Sequence, residues 1–221
     1  MAYVLISVSP FHLEYIPPTR TFTAINAAIS VFGSDRVFVY QTQWLDFIRQ
    51  FGDDRPVKLE RYAAVLGDDA LGVLLWQRYG LIPMGRAPYR LGRWARKQPT
   101  EAFAGQTCRW ELLHSAHSHM DLYGNFIPGF CGGLSLGDWH ALYDLRLQSG
   151  SESFPPLITI LVNQGPYGLL RFAADRFGYS ADAEGYAGAC HLCVDVRRYL
   201  AMVGHFAELS PRQFYQRLDF A

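Results

Sequence analysis

Cysteine is scarce in this chain of 221 residues: Cys108, Cys131, Cys190 and Cys193 are all of it, and none precedes residue 108. Charge of one sign is also missing. Lys plus Arg and Asp plus Glu each number 20, so the net charge is zero, which argues against a nucleic acid or an anionic membrane as the main partner. No apolar run approaches the roughly 18 residues that a membrane-spanning helix needs. Met1-Ala2-Tyr3-Val4-Leu5-Ile6-Ser7 lacks the basic start and long apolar stretch of a signal peptide. Gly-x-Gly-x-x-Gly, a Walker loop and His-Glu-x-x-His are all absent, so the usual nucleotide and zinc-protease signatures are excluded. Neither an internal repeat nor a low-complexity tract interrupts the chain. What remains is a globular composition, 50% hydrophobic and 18% charged, long enough for one or two domains. The expected compartment is the cytoplasm, where thiols stay reduced and cysteines serve as metal ligands or buried thiols rather than disulfides.

Hydrophobic periodicity predicts an α/β order in the first part. Tyr3 to Val8 reads as a strand and Arg36 to Tyr40 as a second. Between them Phe22, Ile25, Ile29 and Phe32 recur at helical spacing and Gly33 stops the run. Trp44 to Phe51 reads as a short helix, and residues 54–85 as one or two helices followed by an extended Leu81-Ile82-Pro83. Alternating strands and helices suggest βα units with a parallel sheet. Residues 86–106 carry Arg86, Arg90, Arg93, Arg96 and Lys97 among Pro88, Gly92 and Pro99, which reads as a connector with a solvated basic face. Beyond it, Trp110 to Met120 is expected to be extended and to turn at Tyr123-Gly124-Asn125 into a return strand at Phe126-Ile127. Helices are expected at Asp138 to Leu147 with Asp138 as cap, at Pro155 to Val162, at Gly168 to Phe177 and at Val194 to Val203, before an aromatic tail expected to pack on its own domain.

The chemistry is concentrated in the cysteines. Their order is single, single, pair, with 22, 58 and 2 residues between them. Cys190-x-x-Cys193 offers two thiolates on one turn, and the glycines at 124 and 129–133 let the backbone close around a third. Four thiolates close one tetrahedral zinc site or one cluster. Zinc sites usually show two close pairs, so one pair and two singles favours a cluster. A redox Cys-x-x-Cys usually follows a strand, whereas this one follows the loop Gly185 to Gly188. His114, His117 and His119 cluster before the turn as metal ligands or, in the plainer reading, hydrogen-bonding residues. Gly133-Leu134-Ser135-Leu136-Gly137 matches a nucleophile elbow, yet the residues before it break the strand an elbow requires. His12 and Glu14 follow the first strand, where pocket residues collect in βα folds.

Three segments together resemble the C-terminal half of the radical SAM superfamily. Ile6-Ser7-Val8-Ser9-Pro10-Phe11-His12 with Ile16-Pro17 resembles a late strand of its partial barrel, and Met84-Gly85-Arg86-Ala87 the segment that closes it. The stretch from Cys108 through Asp121-x-x-Gly124-Asn125-x-x-Pro128-x-x-Cys131 to Cys190-His191-Leu192-Cys193 resembles a twitch domain, the shortened relative of the SPASM domain. The resemblance implies a partial (β/α) barrel over residues 1–85, a connector over 86–106, a small α+β cluster domain over 107–203 and a tail over 204–221. It implies an auxiliary [4Fe-4S] cluster on Cys108, Cys131, Cys190 and Cys193, for electron transfer or substrate anchoring, and makes Ser7, His12 and Arg86 pocket candidates.

The superfamily's Cys-x-x-x-Cys-x-x-Cys is missing, so the chain is not expected to cleave S-adenosylmethionine alone. A truncated or split enzyme is implied. Its expected partner is an N-terminal radical SAM half or a peptide or small-molecule substrate. The alternative is a structural four-cysteine zinc module that binds other proteins.

Overall fold

The two strands read from the sequence pair in parallel: β1 (Val4–Ser7) lies beside β2 (Val37–Tyr40), with Val4 opposite Val37 and Ser7 opposite Tyr40. This is a computed structural model; it describes residues 3–52, 54–78, 80–141 and 154–218. Parallel strands need a crossover, supplied by α1 (Pro10–Leu13) and α2 (Pro18–Phe32). Ser9 caps α1 by accepting the Phe11 N–H. The expected apolar stripe of α2 buries only Ile25, while Ile29 and Phe32 stay exposed. Geometry explains this: fifteen helical residues run about 22 Å, against about 13 Å for a four-residue strand.

The rest of the first unit is helical: α3 (Thr42–Phe51), α4 (Leu59–Leu66), α5 (Asp68–Gly72) and a π-helical stretch at Val73–Arg78. Trp44 of α3 meets Tyr62 of α4 edge to face at 5.1 Å, and both are fully buried with Leu71 and Leu75. The chain therefore has a mixed α/β fold, in two units: residues 1–80 and 81–221.

The second unit takes in residues 86–106, expected as a connector. They form α6 (Ala87–Leu91) and short helical turns, with Leu91, Trp94 and Phe103 buried. Gln98 and Tyr186 exchange backbone hydrogen bonds at 2.8 and 2.9 Å. The arginines at 86, 90, 93 and 96 face outward. Where an extended run was expected from Trp110, α7 (Arg109–Leu113) forms instead, because Leu112 drops into the core and its N–H bonds the Cys108 carbonyl. Only β3 (Ser118–Met120) of that run is a strand, paired antiparallel to β4 (Phe126–Pro128). The Asp121 carboxylate closes the turn on the N–H groups of Tyr123 and Asn125. Asp138 accepts the His140 N–H as a cap does, and residues 142–147 of the helix expected there lie outside the described residues.

Two long helices build the core: α8 (Pro156–Phe177) and α9 (Ala189–Val203). Leu157, Ile158, Leu161 and Leu169 of the first pack with Leu192, Val196 and Leu200 of the second. Each such side chain contributes roughly 1.5–3 kcal/mol when buried. The tail belongs to this core through Leu209, Leu218 and Tyr215, the last on α10 (Arg212–Gln216). Among the described residues, no helix is long and apolar enough to cross a membrane.

Candidate metal centre

Gly165-Pro166 sets the position of the first cysteine. Two helices were expected on either side of this point; the structure joins them, with Gly165 alone non-helical at φ 66° and ψ −164°. Proline has no N–H to give and the kink frees carbonyls of the preceding turn. One of them, Leu161 O, accepts the Cys108 N–H at 2.9 Å. The fit is tight, since a Cβ on Gly165 would lie 1.8 Å from the Gln106 carbonyl oxygen.

Cys131 comes from the turn after β4. Its N–H bonds the Pro128 carbonyl, and its own carbonyl accepts the Leu134 N–H. Gly132 and Gly133 follow because the Phe214 ring lies against both, 2.3 Å from where a Gly133 Cβ would stand. Cys190 and Cys193 sit on the first turns of α9, which begins at Ala189 and so takes in the whole Cys-x-x-Cys pair. Three residues apart, they share a helix face. The helix N-terminus also favours a thiolate there.

All four cysteines, drawn from three segments, line one cavity of about 250 Å³. Ile82, Met84, Phe130, Pro166 and Val194 give it an apolar wall, and Glu111 and Arg197 its charges. None of the four is in a disulfide; Cys193 is buried and the others half-buried. Burial pushes the Cys131 thiol up to about 12 and the Cys190 thiol up to about 11, and raises Cys108 as well, with neighbouring cysteines adding to each shift. Arg197 pulls all three the other way. These shifts favour the protonated thiols, so a bound cation must displace protons.

The donor set is four sulfurs, which selects zinc or an iron–sulfur group over harder ions. A single zinc, with bonds of about 2.3 Å, would draw four sulfurs to within roughly 3.8 Å of one another. Among the described residues no group of three or more His, Cys, Asp or Glu side chains is placed to hold a metal ion.

The other candidates are placed elsewhere. Ser7, His12 and Arg86 are exposed and do not line this cavity. Glu14 is buried in the first unit. His117 and His119 are exposed and gather on the Phe130 ring, with centroids 4.9 and 5.8 Å from it. Ser135 is buried, its hydroxyl engaged with the backbone of Gly137, so the elbow-like motif is a local turn.

Arg197, Glu111 and Tyr215 were missed in the sequence. The available signal for Arg197 was its place four residues after Cys193, on the same helix face. Its Nη1 donates to the Gly132 carbonyl at 3.0 Å and to the Tyr215 hydroxyl at 3.2 Å. Tyr215 donates in turn to the Gly133 carbonyl. No protein-family model, curated protein or solved structure matches the chain.

Proposed function

We propose that this chain is an iron–sulfur module that carries one [4Fe-4S] cluster on Cys108, Cys131, Cys190 and Cys193 and serves as the auxiliary electron-transfer domain of a radical SAM-type enzyme. The observation that carries the reading is the convergence of all four cysteines, from three distant segments, on one cavity. The hairpin with its Asp121-based turn and the Cys-His-Leu-Cys pair on a helix support the twitch-domain resemblance, and the parallel β1–β2 pair supports a partial barrel.

When bound, such a cluster accepts or gives one electron at a potential set by ligation, hydrogen bonds and burial. Cysteine supply decides between its two conceivable roles. Four thiolates satisfy four irons, one each, which leaves no iron open for a substrate and favours electron transfer over anchoring. The protein's own work is to hold the ligands apart at fixed positions, by the α8 kink for Cys108, the glycine turn for Cys131 and the first turns of α9 for the pair. The apolar wall excludes water from them. With no cysteine before residue 108, the cluster that cleaves S-adenosylmethionine is held outside these 221 residues in this reading.

Anaerobic reconstitution with iron and sulfide tests this. The expected product is brown, its visible absorption bleaches with dithionite, and the reduced sample gives a low-temperature paramagnetic signal that Cys131→Ala and Cys193→Ala both lose. A wild-type protein that stays colourless under these conditions contradicts the reading.

A further inference from the structure

Arg197 is a buried cation with an incomplete set of partners. It is 2% exposed in the wall of the four-cysteine cavity. One arm of its guanidinium is pinned to the Gly132 carbonyl and the Tyr215 hydroxyl. Its Nε is buried and has no hydrogen-bond partner. Such a donor is costly to leave unmade, and the acceptors beside it are the cavity's sulfurs. An arginine keeps its charge even when buried.

We infer that Arg197 is a positioning residue that acts as fixed counter-charge and N–H donor to the thiolate-held cluster and raises its reduction potential. The inference rests on the cluster reading above. Four thiolates make the bound complex anionic in both redox states, and one-electron reduction adds a further negative charge without breaking a bond. A buried cation favours the more negative state, and a donor that reaches a sulfur does the same. Glu111 stands on the opposite side of this balance. Its carboxylate lines the same cavity and takes the Phe130 N–H. Arg197 is pinned by the residues that follow Cys131, so its charge cannot swing away when the electron arrives.

The experiment is redox titration of the reconstituted cluster in wild type, Arg197→Gln, Arg197→Lys and Glu111→Gln, with dithionite as reductant. Arg197→Gln is expected to lower the reduced-to-oxidised ratio at a fixed potential at least tenfold, which is about 59 mV for a one-electron couple. Glu111→Gln, which keeps an oxygen for the Phe130 N–H, is expected to raise it. Arg197→Lys keeps the charge and loses the fork, and is expected to fall about threefold. If Arg197→Gln does not fold or load, the lysine variant decides: an unchanged ratio overturns the inference, as does an unchanged ratio in a loaded glutamine variant. A wild type that takes up no iron and sulfide defeats the cluster reading instead, so the two failures are told apart.

Discussion

Arg197 on α9 reaches the carbonyl of Gly132, one residue past Cys131, at 3.0 Å. The helix that carries two of the cysteines thereby holds the turn that carries a third. Tyr215 accepts from the Arg197 guanidinium and donates to the carbonyl of the next residue, Gly133, so the tail is part of the site's frame.

Gly165→Ala should disturb the metal centre from a distance. The new Cβ would lie 1.8 Å from the Gln106 carbonyl oxygen, at a φ of 66°, and the segment it pushes leads into Cys108. With ψ at −164° this backbone region is nearly restricted to glycine and costs about 1–3 kcal/mol with a Cβ present, and the backbone clash adds to that. Gly178→Ala, at φ 73° with nothing within 4 Å, is the control that isolates the conformational cost. The expected result is lower thermal stability in both, and loss of cluster loading in Gly165→Ala alone. Equal loading in the two would contradict the role assigned to the kink.

Stability of the metal-free protein should fall as pH rises from about 9 to about 12. The unfolded chain ionises its thiols near the ordinary value of about 8.5, whereas burial keeps Cys190 protonated up to about 11 and Cys131 up to about 12. In that window the folded state binds more protons than the unfolded one, so stability declines with pH. Denaturant melts at pH 8 and 10.5 check this, and Cys190→Ser should flatten the decline. In the loaded protein the thiolates are already ionised and their part of the decline should vanish.

His191 should add a second pH dependence on the acid side. Its Nδ1 accepts the Ala187 N–H at 3.1 Å, which requires a neutral ring at that nitrogen, and burial holds its pKa below the usual 6.5 despite nearby Asp195. Below about pH 6.5 the unfolded chain takes up a proton that the folded chain refuses, so the histidine's contribution is full above that pH and is lost as pH falls. Melts at pH 7.5 and 5.5 should show the drop, and His191→Gln should reduce it. An equal drop in the variant would assign the acid sensitivity to other groups.

The four cysteines of the cavity were legible because cysteine is rare here, and a residue type used only four times carries information wherever it falls. The strands β1 and β2 and the helix α2 were legible from period and from Gly33. Trp110 to Leu113 misled because so short a run reads equally as strand or helix, and only the burial of Leu112 settles it. Arg197 was not legible for a different reason. A single arginine on a helix faces water in most contexts, and this one is turned inward by where Leu192, Val196 and Leu200 of α9 meet the core. Residues 86–106 looked like a connector by charge and proline, while Leu91, Trp94 and Phe103 supplied a buried face.

The most direct test counts iron, acid-labile sulfide and zinc in protein purified without oxygen. The account predicts about four irons and about four sulfides per chain, with zinc absent and the metal lost when Cys131 or Cys193 is replaced by alanine. About one zinc per chain with no sulfide would contradict it, and would leave a structural site whose four cysteines close on a single ion.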